Sequence, residues 1–320
     1  MTRYLLQRVA ALIGIVFIIS VGCFYLIHFL PGDPAALILG PTASPAQVHA
    51  LHKAMGLDKP IWTQYGIWLG HALHGNLGLG EPSGVAVSTL IGGAYKLDIE
   101  LIIISQFLAF LIAIPLSVYS ARRPRGVLDQ ASTSVSFGLF CLPGFIIVLW
   151  AVNFLTIRWP IFPGPDTNPY PTGGSWISNI GNNLYVLLLP SIVLALGSIA
   201  IYFRLLRNEM VFTLQEEFIT AARSKGLTTN RVLWRHAVRP SSITMLTSAG
   251  NNIALLITGL FIVEVKFALP GLGYDLLRAI YSNDYLTIQG IALFSAVTVV
   301  VVNFVIDLVT PLIDPRIARA

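Results

Sequence analysis

Residues 97–121 read LDIELIIISQFLAFLIAIPLSVYSA: two carboxylates, Asp98 and Glu100, stand at the start, and no charge follows. A helix needs about 20 consecutive apolar residues to cross the hydrocarbon core of a bilayer. A segment in that core must satisfy its own backbone N–H and C=O groups, so a stretch of this kind reads as a transmembrane helix. Five more such stretches surround it, at about residues 8–30, 130–156, 184–206, 241–263 and 287–310. The whole chain agrees: 320 residues, 55% hydrophobic and only 11% charged, with a mean hydropathy of +0.75, far from the balance of a soluble domain. The expected fold is all-α: a polytopic membrane protein of six transmembrane helices, one membrane domain over 1–320. Pro115, Pro143 and Pro190 fall inside three spans and read as kinks, because neighbouring helices and polar side chains can take up the freed backbone groups.

Charge fixes the orientation. The first apolar stretch follows Arg3 and Arg8, lacks a small-residue cleavage pattern and exceeds a secretory h-region, so it reads as a retained helix and not a signal peptide. With the N-terminus inside, Arg3, Arg8, Arg122, Arg123, Arg125, Arg204, Arg207, Arg223, Lys225, Arg231, Arg235, Arg239, Arg316 and Arg319 face the cytoplasm, fourteen of the twenty basic residues. Lys53, Lys59, Lys96, Arg158, Lys266 and Arg278 stay outside. The positive-inside rule therefore places both termini of this multi-pass protein in the cytoplasm. Residues 31–96 become a small external insertion between helices 1 and 2, and 207–240 a cytoplasmic loop. The net charge of +5 is then an orientation signal in contact with lipid, and no nucleic-acid partner is expected, since there is no basic soluble face with aromatics. Cys23 and Cys141 both lie in spans and support neither a disulfide framework nor a metal site.

The cytoplasmic loop carries a charged helix between apolar segments. Thr213 and Glu216 have capping-box spacing, Glu216 and Glu217 sit in the first turn, Arg223 and Lys225 in the last, and Gly226 supplies a left-handed stop. Leu214, Phe218, Ala221 and Ala222 make one narrow apolar face. A helix lying on lipid would want bulky groups there; alanines in the middle suit the close approach of a protein groove. Thr220-Ala221-Ala222-x-x-x-Gly226 resembles the cytoplasmic Glu-Ala-Ala-x-x-x-Gly loop that couples ATP-binding-cassette importer permeases to their ATPase, with Thr220 where Glu is frequent.

The resemblance extends along the chain. Leu30-Pro31-Gly32-Asp33-Pro34, Gly56-Leu57-Asp58-Lys59-Pro60, Gln64-Tyr65, Trp68-Leu69 and Gly75-Asn76-Leu77-Gly78 are similar to the first external segment of the dipeptide, oligopeptide and nickel branch, first permease subunit type, with Asn76 where Asp is frequent. Two short helical stretches are expected there. Glu264, Pro270-Gly271-Leu272-Gly273, Asn283-Asp284-Tyr285, Gln289-Gly290 and Asp314-Pro315-Arg316 resemble the same branch, in the same order. The resemblance implies a permease subunit of an ATP-driven importer, paired with a second homologous permease, two ATP-binding-cassette ATPase subunits and an external solute-binding protein. It implies ATPase coupling through Glu217, Thr220, Ala221, Ala222 and Gly226, and no catalytic residue, cofactor or metal in this chain.

Other chemistries find less support. His49/His52 and His71/His74 are i, i+3 pairs able to share a helix face, but no cysteine or clustered carboxylate accompanies them. Gly271-Leu272-Gly273-Tyr274-Asp275 misses the Gly-x-Gly-Asp of intramembrane aspartyl proteases by one residue, and no second aspartate is placed to share a proton. His-Glu-x-x-His and Gly-x-Ser-x-Gly are absent, and no lysine follows a glycine, which excludes a P-loop. An ion-coupled carrier would need charge deep in the spans, where Asp98, Glu100 and Asp307 stand only near ends. A non-transporting scaffold would leave unexplained the stripe Thr244, Ser248, Asn251 and Thr258, with Asn252 beside it. Such groups either hold helices together or line a watery path; proximity of this span to the pathway, implied by the resemblance, favours Thr244, Ser248, Asn251 and Asn252 as lining. The expected solute is a peptide, with nickel or another small solute as the alternative. Soft or imidazole groups are scarce in the spans: the two cysteines lie on different helices and His28 is the one histidine.

Overall fold

Residues 2–28, 34–40, 43–54, 56–80, 84–165 and 176–313 are described by a computed structural model. The quoted groups Pro31-Gly32-Asp33 and Asp314-Pro315-Arg316 lie outside them. The described residues are helical almost throughout: α1 Thr2–His28, α2 Pro34–Leu39, α3 Pro45–Ala54, α4 Ile61–Leu73, α5 Val87–Arg122, α6 Val127–Cys141, α7 Gly144–Ala151, α8 Trp176–Thr213, α9 Glu217–Ser224, α10 Thr229–Arg231, α11 Val238–Phe267, α12 Leu272–Ser282 and α13 Tyr285–Ile313. Two π-helical turns, Val152–Arg158 and Val232–Ala237, extend α7 and join α10 to α11.

Among these, α1, α5, α8, α11 and α13 are individually long and apolar enough to span a bilayer. The expected third span is not one straight helix: α6 and α7 meet at 98°. The break falls on Leu142 and Pro143, which leave the helical region at ψ 125 and 131; a proline disfavours helix in the residue before it and removes a backbone donor. Pro115 and Pro190, in contrast, sit within unbroken α5 and α8. The span expected to start near residue 97 starts ten residues earlier, so Val87–Lys96 of the expected insertion belongs to α5. Among its described residues the insertion holds three helices of its own, where two were expected. Pro34 and Pro45 open α2 and α3 and Pro60 caps α4, positions at which a missing N–H costs nothing.

The chain divides into two compact units. The first comprises residues 1–98 and 270–304. Here Ser20 of α1 and Tyr65 of α4 share a hydrogen bond of 2.7 Å, and Phe24, Tyr65 and Trp68 meet edge-to-face or tilted at 5.4–6.1 Å between centroids. The sequence motifs toward the C-terminus have structural explanations in this unit. Asn283 is left-handed (φ 55) and ends α12, and Asp284 accepts the Thr287 N–H at 3.1 Å, capping α13. Gln289 Nε2 donates to the Cys23 carbonyl of α1 at 2.9 Å. Gly290 lets α13 touch α5, since a Cβ there would lie 2.5 Å from Val87 Cγ1. Asn76 Oδ1 accepts the Gly78 N–H at 3.2 Å, a bond an aspartate oxygen would make equally well.

The second unit comprises residues 99–269 and 305–320. Ala109, Ala113, Ser117 and Ala121, each at most 1% exposed, repeat every four residues and give α5 a smooth face. Small residues let helix backbones approach in a membrane, and Ser117 Oγ reaches the Phe203 carbonyl of α8 at 3.1 Å, beside its own-helix Ala113 carbonyl at 2.7 Å. Gly250 of α11 does the same against α13, its notional Cβ 2.9 Å from Ile306 Cγ2. The core these contacts frame continues out of the spans into α9 and the π-turn after α10.

Candidate functional site

Helix α9 is eight residues long, too short to be stable alone. It is held from below. Ile219 is 0% exposed and Ala222 7%, and both belong to one apolar cluster with Val118 of α5, Leu206 and Met210 of α8, Leu233 of the π-turn and Met245 of α11. The inner face is therefore Ile219 and Ala222, with Leu214 and Leu227 partly buried beside them. This corrects the face read as Leu214, Phe218, Ala221 and Ala222: Phe218 and Ala221 point outward, Phe218 with 48% of its surface exposed. The helical period was right and its phase was wrong. Ile219, which that face leaves out, is the anchor.

The capping box is not formed either. Thr213 is the last residue of α8, and its hydroxyl receives a 2.8 Å hydrogen bond from Ser241. Glu216 is the N-cap, extended at ψ 149, with no side-chain cap bond; its carbonyl accepts the N–H groups of Ile219 and Thr220 at 3.1 and 3.3 Å. The stop is as read. Gly226 has φ 76 and donates to the Arg223 carbonyl at 2.9 Å, ending the helix in the region where a Cβ is strained. Of the five residues implied for ATPase coupling, Glu217, Thr220, Ala221 and Gly226 are exposed, and Ala222 packs inward.

The stripe on α11 divides in the same way. Thr244, Asn251 and Thr258 are exposed and Ser248 half-buried, while Asn252 is 8% exposed and turned into the bundle. Thr244 Oγ1 donates to Glu209 of α8 at 3.3 Å. Asn252 Nδ2 donates to Ser198 Oγ at 2.7 Å and Tyr202 Oη at 3.1 Å on α8. Tyr202 donates to Gln106 Oε1 of α5 at 2.5 Å, and Gln106 Nε2 reaches Ser198 at 3.3 Å. Four polar side chains thus close a buried network across three spans, satisfying one another where lipid offers no partner. Gln106, Ser198 and Tyr202 were not picked out from sequence. Single polar residues on apolar helices announce no partner until the helices are packed.

A third feature also escaped sequence reading. Arg207 near the end of α8 grips Asp129 of α6 through Nη2 at 2.6 Å and Nε at 2.9 Å, and the Arg125 N–H adds a bond to Asp129 at 2.8 Å. This bidentate pair ties α6 to α8. The histidine pairs find local partners: His52 Nδ1 lies 3.1 Å from Asp58 and His74 Nδ1 2.7 Å from the Gly70 carbonyl. Among the described residues no three His, Cys, Asp or Glu side chains converge as metal ligands do.

Apolar helices long enough to cross a bilayer, with a short helix packed on their core and one face turned outward, define a polytopic membrane protein. The chain belongs to the family of binding-protein-dependent transport system inner membrane components, whose family model matches residues 113–319. The N-terminal model of the same transport systems matches residues 1–85. Similar proteins include a putative peptide transport system permease protein of Brucella suis biovar 1 (strain 1330), 33% identical over 320 residues, covering 99% of each chain. The oligopeptide transport system permease protein AppB of Bacillus subtilis (strain 168) is 33% identical over 318 residues, and the dipeptide transport system permease protein DppB of Escherichia coli (strain K12) is 28% identical over 339 residues, each with 99% of both chains covered. The protein is therefore a multi-pass permease subunit of the inner membrane.

Proposed function

We propose that this chain forms half of the translocation pathway of an ATP-driven importer for peptides, with a second homologous permease, two separate ATP-binding-cassette ATPase subunits and an external solute-binding protein. The observation that carries this reading is the two-faced α9: Ile219 and Ala222 inside the core of the spans, Phe218, Thr220 and Ala221 outside. A partner that moves the outer face moves the helices to which the inner face is bonded, and ATP hydrolysis elsewhere becomes a change in the spans. Peptide as the solute is supported by the names of the relatives from Bacillus and Escherichia and by the uncharged amide and hydroxyl groups of Thr244, Ser248 and Asn251. Orientation rests on counting. If α6 and α7 together make one crossing, four crossings precede α9, which returns it to the side of the N-terminus, with the fourteen basic residues. On this reading 1–320 is one permease domain, 31–96 faces outward and 207–240 is the coupling loop.

Ala221→Arg, tested in the complete importer in proteoliposomes, places a bulky side chain on an exposed position of α9. It is expected to lower peptide uptake more than about tenfold with ATP hydrolysis and membrane insertion retained, since surface substitutions seldom change stability by more than about 0.5 kcal/mol. Gly226→Val, a β-branched residue at positive φ, is expected to uncouple in the same way. Uptake at the unsubstituted level in both variants would remove α9 as the coupling element.

A further inference from the structure

We propose that the end of α8 nearest α9 holds the phosphodiester headgroup of an anionic glycerophospholipid. A cavity of about 380 Å³ opens between the start of α6 and the last turns of α8, and Arg125, Arg204 and Arg207 line it beside Asp129. Arg207 is spent on Asp129, so the three cations face one anion already engaged. The surplus belongs to Arg125 and Arg204, neither of which forms an ion pair among the described residues. Arg204 is half-buried and fixed: its guanidinium carbon sits 5.2 Å over the Phe140 ring and 6.0 Å from Phe137. Stacking holds the plane of the guanidinium while leaving its N–H groups for an acceptor, the arrangement in which arginine binds phosphate. Thr133 and Ser134 add hydroxyl donors on the same wall.

The apolar half of the site identifies the anion as a lipid and not free phosphate. Phe137 is 51% exposed and Phe140 59%, on the same face of α6 as the arginines' cavity and running away from it along a candidate span. Val135 is exposed on that helix as well, and Leu142 just past its end. A water-soluble anion has no use for exposed phenylalanines, whereas an acyl chain lies along them while its headgroup reaches the basic end. Clustered arginines at a membrane boundary attract anionic lipid at about 1 kcal/mol per charge.

The test uses the purified full-length chain with its co-expressed partner subunits, stripped of lipid in mild detergent and examined by native mass spectrometry against dioleoylphosphatidylglycerol, dioleoylphosphatidylcholine and inorganic phosphate. Phosphatidylglycerol is expected to bind with one saturable equivalent that phosphatidylcholine does not match. Arg204→Gln is expected to weaken that equivalent by about fivefold to tenfold. Arg125→Asn is a second probe that keeps the backbone content, because asparagine tolerates the positive φ of 64 at this position, and should weaken it by a similar factor should Arg204→Gln fail to fold. Equal binding of phosphatidylcholine, displacement by inorganic phosphate at comparable concentration, unchanged affinity in a folded variant, or binding seen only when the second permease is absent would each overturn the proposal.

Discussion

Replacing Asn252 by leucine separates helix adhesion from solute contact on α11. The amide donates two hydrogen bonds, to Ser198 at 2.7 Å and Tyr202 at 3.1 Å. Neither acceptor is stranded when they are lost. Tyr202 keeps its bond to Gln106, and Ser198 keeps the longer contact from Gln106 Nε2. Leucine keeps the branched shape and heavy-atom count of asparagine, so no cavity opens; its methyl groups are bulkier than the amide, and any overpacking adds to the loss. What remains is two interhelical bonds at about 0.6 kcal/mol on average and about 1.7 at most, or about 1–3 kcal/mol in total. Unfolding the chain by sodium dodecyl sulfate from mild detergent, followed by circular dichroism, measures this loss directly. Tyr202→Phe in a double-mutant cycle should return a coupling of about 0.5–1.5 kcal/mol. Asn251→Leu, one residue along on the exposed side, is expected to change stability by no more than about 0.5 kcal/mol and to act on uptake instead. The reasoning fails if Asn252→Leu is neutral, or if Asn251→Leu costs as much.

Gly290→Ala pushes a methyl group to within 2.5 Å of Val87, and overpacking of this kind costs about 1–3 kcal/mol; Gly93→Ala, which meets nothing within 4 Å, is the control and should be neutral or stabilising in the same unfolding titration. A single cysteine at Lys59 should react with an impermeant maleimide on intact cells, and one at Arg231 only after the membrane is opened; labelling of the Arg231 position from outside would reverse the topology.

How much of this was legible depends on which physical signal each element carries. The spans were legible because a bilayer demands length and apolarity, both of which are written in consecutive residues. Their ends were not: Val87–Lys96 mixes Gly92, Gly93, Tyr95 and Lys96 into the first turns of α5, and hydropathy stops where the helix does not. The phase of α9 was missed for a related reason. Phe218 and Ile219 are adjacent and both apolar, and only the cluster around Ile219 decides which one is turned inward. Motifs fared unevenly. Gly226 was readable because a left-handed stop needs a residue without a Cβ, whereas the spacing of Thr213 and Glu216 fits a capping box that α8 pre-empts by running through Thr213. The polar network and the Asp129–Arg207 pair are long-range, with partners 50 to 96 residues apart, and no local pattern encodes such a pairing.

The position of Ile219 also bears on how a short helix can transmit movement. Eight residues have too few internal hydrogen bonds to outweigh the cost of nucleation, so α9 is a helix because the core holds it as one. Burying an isoleucine contributes about 1.5–3 kcal/mol, enough to order a helix of this length once Leu214, Ala222 and Leu227 close around it. On the outer side Thr220, Ala221 and Ser224 are exposed and small, Phe218 is exposed beside them, and the charged Glu217 and Arg223 stand near the two ends. Under the proposed function, attachment through close-packed contacts to α5, α8 and α11 is what would carry a displacement of the outer face into the spans. The Ser241–Thr213 bond and the π-turn carrying Leu233 and Ala237 brace the two ends of the loop against the same core, and on the proposed reading this is what would tie a movement of α9 to the spans.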